Sequence, residues 1–301
     1  MSKGGKLTGH LAAGGAYAIF GLNIVFCKDI AACALISPIA LFTLRAIGAA
    51  VLFWLISLLL PSEKVDRGDY WKIALASVVG LFVPQLTFLA ACQMTTAIDI
   101  SILGTLVPIF TMFVAAVAVK EPVTVKKAAG VAISFAGVIF LIFNSVVNHN
   151  GVDVTKPMGV VLMLLNALSF ASYLGIFRPL ISKYRVVTFM KWMFLFALLI
   201  SLPFSASDLV SAPYADIPGK VMLEIGFLIL FATFVAYFLI PVGQKRIRPT
   251  LVSMYTYLQP MIACAVAIAI GMDTVTWQKV VATVLVISGV MIVNRSRAAA
   301  A

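Results

Sequence analysis

The chain has 301 residues, of which 62% are hydrophobic and 11% charged, with a mean hydropathy of +1.10 and a formal net charge of +11. So little charge does not cover the surface of a soluble domain of this length, which excludes a water-soluble enzyme or binding module. The apolar residues come in blocks of roughly 17–25, long enough to cross ~30 Å of hydrocarbon as helices, and no run alternates with period two as the strands of a transmembrane barrel do.

The predicted fold is therefore an all-α polytopic membrane protein, in which each helix pairs its own backbone N–H and C=O groups as the bilayer demands. Ten spans are predicted, at about 9–27, 38–60, 72–93, 98–119, 127–145, 157–177, 187–204, 221–242, 250–271 and 277–294. Lys3 and Lys6 precede the first, but its apolar run is too long for a signal peptide and no small-x-small site ends it before Lys28, so it reads as a retained span. Pro38 opens the second span at a position where proline is tolerated. Arg45, two turns further on, and Lys191, one turn into the seventh span, are long cations expected to snorkel to an interface. The run Pro61-Ser62-Glu63-Lys64-Val65-Asp66-Arg67-Gly68-Asp69 is too charged to be buried, and Asn148-His149-Asn150-Gly151 and Ser205 to Gly219 are the other loops of any size. Asp99 opens the fourth span, where it reads as a helix cap. Ala128, Ala132 and Ala136 form a small-residue stripe on the fifth that permits close helix approach.

The distribution of basic residues argues for topology rather than nucleic-acid binding. With the N-terminus in the cytoplasm, interior segments hold Lys3, Lys6, Lys64, Arg67, Lys72, Lys120, Lys126, Lys127, Arg178, Lys183, Arg185, Lys245, Arg246, Arg248, Arg295 and Arg297. Exterior segments hold only Lys28, Lys156, Lys220 and Lys279. This positive-inside bias predicts both termini in the cytoplasm and an inner-membrane location.

An internal repeat follows from shifting the chain by about 150 residues. Gly9 falls on Gly159, Phe20 on Phe170 and Lys28 on Arg178; at a slightly larger shift Ser101 falls on Ser253, Leu106 on Leu258, Pro108 on Pro260 and Ala115 on Ala267. Glu121-Pro122-Val123-Thr124 falls on Asp273-Thr274-Val275-Thr276, Lys127 on Lys279, and Gly137-Val138 on Gly289-Val290. The predicted units are residues 1–150 and 151–301, each of five spans, an odd number that forces opposite orientations. Loop charges agree: Lys120 and Lys126 become Met272 and Gln278, while Met94-Thr95-Thr96 becomes Lys245-Arg246-Ile247-Arg248. Inverted repeats of this sort are characteristic of secondary transporters.

Each half thus carries a proline within its fourth span, an acidic residue with a nearby threonine, and a small-residue helix ending in Gly-Val: Pro108, Glu121, Thr124, Gly130, Gly137-Val138, then Pro260, Asp273, Thr276, Gly289-Val290. On these residues the chain resembles, over its whole length, the EamA group of the drug/metabolite transporter superfamily. It departs in carrying Asp273 for the usual glutamate and Ala282 opposite Gly130. The resemblance implies export or exchange of amino acids or other small metabolites across the inner membrane.

Polar groups within spans are costly in lipid and should face protein or water. Asn23, Gln85, Thr105, Asn166, Tyr173, Tyr237, Tyr257 and Gln259 are the candidate solute-pathway residues, and three pairs coincide under the repeat: Asn23 with Tyr173, Gln85 with Tyr237, and Thr105 with Tyr257. Interhelical hydrogen bonds, worth about 0.6 kcal/mol each, are the alternative role. Pro108 and Pro260 are expected to kink their helices around a midplane cavity, or to serve packing alone. No acid or histidine lies at the middle of a span, so facilitated diffusion or exchange is expected, with Asp99 as the one possible coupling residue.

The other function classes find little support. Cys27, Cys33, Cys92 and Cys264 lack metal spacing, His10 and His149 are the only histidines, and no nucleotide loop, dinucleotide fingerprint or nucleophile elbow occurs. No metal, cofactor, nucleic-acid partner or enzymatic activity is expected. The expected partners are a small-molecule solute and the bilayer, with a monomer and a homodimer both open. A carrier of phosphorylated sugars or nucleotide sugars needs paired cations, and only Arg45 and Lys191 are on offer. The favoured solute is therefore neutral, zwitterionic or amphipathic. A receptor or scaffold is the alternative outside transport.

Overall fold

The computed structural model describes residues 3–119, 124–147, 155–247, 252–253 and 255–298. Lys120, Glu121, the 148–151 turn and Arg248 lie outside the described residues. Regular structure among the described residues is entirely helical. Helix α1 (Lys3–Cys33) leads to α2 (Pro38–Leu58), whose N-cap Ser37 accepts a hydrogen bond from the Ala40 amide at 3.2 Å, with Pro38 in the first turn. The third span is composite: α3 (Tyr70–Ser77), a π-helical turn (Val78–Phe82) and α4 (Val83–Cys92). The fourth is broken between α5 (Ala97–Gly104) and α6 (Val107–Val119), and α7 (Val125–Val147) follows.

The second half repeats this plan. Helix α8 (Pro157–Ile176), a short α9 (Arg178–Lys183) and α10 (Val186–Ser211) precede another composite span of α11 (Gly219–Phe227), a π-helical stretch (Leu228–Val235) and α12 (Ala236–Arg246). A 3-10 turn (Tyr255–Tyr257) then opens into α13 (Leu258–Ala269), and α14 (Trp277–Ala298) is the last helix. Among the described residues, seven segments are long and apolar enough to cross a membrane: Lys6–Cys33, Pro38–Leu58, Arg67–Cys92, Ala97–Val114, Pro157–Ile176, Val186–Ser211 and Gly219–Arg246. Shorter apolar helices, Ala128–Phe140, Tyr255–Ala269 and Trp277–Gly289, stand where the fifth, ninth and tenth spans were predicted.

Two helices overrun their predicted bounds, α1 reaching from Lys3 to Cys33 against a predicted 9–27. Helix α10 runs through Pro203 to Ser211, where a loop was predicted from Ser205. Side-chain bonds to α2 and its cap hold this extension: Thr43 Oγ1 to Ser205 Oγ at 2.9 Å and Ser37 Oγ to Asp208 Oδ2 at 2.5 Å.

Helix pairing is reciprocal between the halves. The first helix of each half packs against the third and fourth spans of the other, α1 on α12 and α13, α8 on α4 and α6. Helix α2 pairs with α10, and α7 with α14. In the last pair, a Cβ on Gly137 would meet the Ala282 carbonyl oxygen at 3.0 Å, while a Cβ on Gly289 would press on the Gly130 carbonyl and lie 2.6 Å from the Ser134 nitrogen. Ser134 Oγ donates to the Val286 carbonyl at 3.0 Å. The helices thus meet backbone to backbone, as small residues allow in apolar surroundings. Gly130, Ser134 and Gly137 form this seam; Ala128, Ala132 and Ala136 are exposed on another face of α7, so the predicted stripe is not the packing surface.

The loops gather at two ends. At one, Lys183 bonds Asp66 (2.5 Å) and Asp69 (2.6 Å), Tyr184 Oη donates to Asp69 at 2.7 Å, and Lys245 donates to the Tyr184 carbonyl. The hydrogen bonds to Asp66 and Asp69 hold the Lys183 ammonium above the ordinary lysine pKa. While Asp66 and Asp69 stay ionised, the lysine's contribution is therefore fully present below the ordinary lysine value and is lost as pH rises through the raised one. At the other end, Lys220 pairs with Asp29, Asp273 accepts from the Ile98 amide at 3.1 Å, and the Lys156 amide donates to the Met94 carbonyl at 2.8 Å. These two sets are the ones that the charge pattern assigned to opposite sides of the membrane.

Candidate functional site

Between the two ends lies a cavity of about 80 Å³ at the convergence of helices from both halves. Its polar lining comprises Asn23 and Tyr17 of α1, Arg45 of α2, Gln85 of α4, Asn166 of α8, Tyr237 of α12, Thr256 of the 3-10 turn and Gln259 of α13. Phe20, Phe88 and Phe170 provide aromatic walls, and Phe20 meets Tyr237 edge-on at 5.6 Å between centroids.

Interrupted helices shape this space. In a π-helical segment the backbone ladder widens, a feature concentrated at functional sites. The first such turn ends just before Pro84 and Gln85, and the Pro84 carbonyl accepts from Asn166 Nδ2 at 2.6 Å, tying α4 to α8. The second contains Thr233, whose hydroxyl donates to the Leu228 carbonyl at 2.7 Å and accepts from Arg45 Nε at 2.8 Å. At the broken fourth span, Gly104 leaves room for Gln259: a Cβ there would stand 3.2 Å from Gln259 Oε1.

Arg45 does not snorkel. Only 2% of it is exposed, and its bonds run to Thr233 and, from Nη1, to Cys27 Sγ at 3.8 Å. No carboxylate among the described residues lies within salt-bridge distance of it. The reason is geometric: α2 is flanked by α10 and the second π segment, so the side chain points into the bundle rather than along the lipid. Lys191 is half-buried with its ammonium 4.7 Å from the Trp54 ring centroid. Gln85 is 4% exposed and stands beside the Tyr237 hydroxyl, yet neither amide atom makes a hydrogen bond of good geometry among the described residues; the Tyr17 hydroxyl is likewise buried without one there.

The cavity brings together Asn23, Gln85, Asn166, Tyr237 and Gln259 of the predicted residues. Tyr173 is buried beside it, packed on the first π turn, where a Cβ on Gly80 would lie 2.6 Å from its ring. Thr105 Oγ1 donates to the Ile102 carbonyl at 2.6 Å at the end of α5, and Tyr257 ends the 3-10 turn; neither lines the cavity. Pro108 and Pro260 do not kink continuous helices. Each falls in the first turn of the helix after a break, where proline's missing N–H costs nothing.

Asp99 is not the helix cap. Thr96 is, accepting from the Asp99 amide at 3.2 Å, while the Asp99 carboxylate accepts from Thr155 Oγ1. Asp99 is buried near the Asp273–Lys279 pair, away from the cavity. Arg45 and the three phenylalanines were missed as site residues. Phe20 and Phe170 carried a usable signal, since they coincide under the repeat.

The EamA-like transporter family model matches residues 7–143 and again 157–295. An uncharacterized transporter of Archaeoglobus fulgidus is 24% identical over 263 residues, covering 87% of this chain and 90% of its own length. The uncharacterized transporter YyaM of Bacillus subtilis is 24% identical over 250 residues, with 78% and 77% covered. The uncharacterized inner membrane transporter YicL of Salmonella typhimurium is 23% identical over 239 residues, with 78% of each covered. A crystal structure covering 98% of both chains superimposes with a TM-score of 0.64 at 15% identity, a likeness of fold. With its several apolar helices and two family matches that together span most of its length, the chain belongs to the EamA-like transporter family and is a multi-pass membrane transporter.

Proposed function

We propose that the chain carries a small metabolite, an amino acid or a similar amphipathic solute, across the inner membrane as an exporter or exchanger. Ten spans form two inverted five-helix repeats, residues 1–150 and 151–301, with both termini cytoplasmic, and the central cavity is the solute site. The observation that carries this reading is the convergence of Asn23, Gln85, Asn166, Tyr237 and Gln259, drawn from both halves, on one cavity. Two buried amide atoms of Gln85 without a hydrogen bond of good geometry cost free energy in the empty protein, and a solute's polar groups would satisfy them. The cavity is far below the roughly 300–1,000 Å³ of sites that hold drug-sized ligands, which favours a metabolite of few atoms.

Support for the repeats comes from the two family matches and from reciprocal features at matched positions: two π segments, two interrupted fourth spans, and Gly137 and Gly289 each pressed on the other half's helix. Such halves exchange conformations to open a central site to each side in turn. No Asp, Glu or His lines the cavity, which favours facilitated diffusion or exchange over proton coupling through the site. A nucleotide-sugar carrier is disfavoured because Arg45 is the one cationic side chain in the lining.

The test is uptake of labelled metabolites into proteoliposomes containing the purified chain. Counterflow of at least one amino acid or comparable small solute, reduced at least tenfold by Asn23→Leu or Tyr237→Leu at unchanged protein content, is expected. Flux of no solute above protein-free vesicles would contradict transport.

A further inference from the structure

Among the described residues, the cavity lining holds one buried cation and no acid. An isolated charge in a low-dielectric interior is expensive, and buried cations are ordinarily paired. Arg45 is 98% removed from solvent, yet its bonds run only to the neutral Thr233 hydroxyl and the Cys27 sulfur. A guanidinium has five N–H donors in a planar fork suited to an oxyanion pair. With Nε committed to Thr233 and Nη1 directed at Cys27, Nη2 has no protein partner. Thr233 is itself fixed through the Leu228 carbonyl of the π segment, so the fork is held at the cavity wall rather than free to swing to a headgroup.

The other polar groups of the lining are neutral, among them the Gln85 amide, Asn23 and the Tyr237 hydroxyl; the buried Glu224 carboxylate acts on Cys27 but does not line the cavity. Phe20, Phe88 and Phe170 complete the lining, with Phe20 edge-on to Tyr237. We infer that the solute is an organic monoanion, a carboxylate with a small apolar or aromatic body, whose oxyanion pairs with Arg45 while its body packs on the phenylalanines. This rests on the cavity being the transport site and, of the amphipathic solutes proposed for it, selects monoanionic carboxylates over zwitterionic amino acids. A zwitterion would bring an ammonium for which the lining has no acid. A phosphate ester would bring two negative charges against one cation. A neutral solute would leave Arg45 unpaired.

The experiment measures binding by calorimetry to the purified full chain in detergent, using charge isosteres. Benzoate is compared with benzamide, and isovalerate with isovaleramide, leucine and isoamylamine. At least one carboxylate is expected to bind at least tenfold more tightly than its amide and its amine, a difference of about 1.4 kcal/mol. In Arg45→Gln this preference is expected to vanish, and in Arg45→Lys to survive in part, since lysine keeps the charge but loses the fork. The isostere comparison on the unmodified protein stands even if both variants fail to fold. Equal binding of carboxylate and amide, tighter binding of leucine or isoamylamine, or no binding of either carboxylate would overturn the inference. So would an anion preference undiminished in a well-folded Arg45→Gln. Failure of this inference is distinguishable from failure of transport. Proteoliposome flux of an uncharged or zwitterionic solute, unaffected by Arg45→Gln, removes the monoanion and leaves the carrier. Selective carboxylate binding without flux does the reverse.

Discussion

At the scale of single residues, the informative groups are those whose chemistry is unsatisfied. Gln85 buries an amide neither atom of which makes a hydrogen bond of good geometry among the described residues. A buried polar group left unpaired costs about 1–3 kcal/mol, so its retention points to a ligand rather than to stability. Gln85→Leu is accordingly expected to raise the apparent melting temperature in detergent, corresponding to a gain of about 1 kcal/mol, while lowering proteoliposome flux. A thermal scan beside a flux measurement checks both; a variant that melts lower and transports normally would make Gln85 an ordinary packing residue. Which polar residues meet was partly legible in the sequence. Asn23, Gln85 and Tyr237 were visible as polar groups in apolar spans, two of them matched under the repeat. The direction of Arg45 was not legible, because a cation two turns into a span has two physical options, snorkelling or pairing inward, and the choice depends on which helices flank α2. Asp99 shows the same limit. Asp99 read as the cap, but Thr96 takes that place, and Thr155, distant in sequence, holds the carboxylate instead.

Among the helices, seven of the predicted spans coincide with segments long and apolar enough to cross a membrane, because hydropathy and turn residues are local. The sequence did not show the two π segments, since a widened backbone turn leaves no mark in hydropathy or periodicity. It placed Pro108 and Pro260 where continuity fails but assigned the wrong consequence, a kink in place of a helix start. The repeated Gly-Val pairs were recognisable, and the structure explains the glycines: α7 and α14 touch through Gly130, Gly137 and Gly289. Adding one methyl to a tightly packed contact costs about 1–3 kcal/mol. Gly289→Ala should lower the apparent melting temperature by that equivalent. Gly226→Ala, with nothing within 4 Å of its new Cβ, should leave it unchanged or slightly higher because alanine favours helix. Thermal denaturation of both variants side by side is the check. Equal stability would mean that the α7–α14 contact is loose.

For the whole molecule, the two ends and the centre make different demands. Charged and backbone contacts close both ends: Asp66, Asp69, Lys183 and Tyr184 at one, and Asp29, Lys220, Asp273 and Lys279 at the other. The cavity between them is small and lined by helices from both halves. A carrier built this way must release one end while keeping the other closed, and solvent-accessible pairs such as Lys183–Asp66 and Lys220–Asp29 are suited to that because each contributes only about 0–1 kcal/mol. The cavity should therefore become reachable from each side in turn. Ile24 lines the cavity without carrying a polar role, so it can report access without removing a solute contact. In a background with Cys27, Cys33, Cys92 and Cys264 replaced, Ile24→Cys is treated with a membrane-impermeant methanethiosulfonate, once in intact cells and once in inverted vesicles. The account predicts modification from both sides, whereas a thiol that reacts from one side only, or from neither, would contradict alternating access to this cavity.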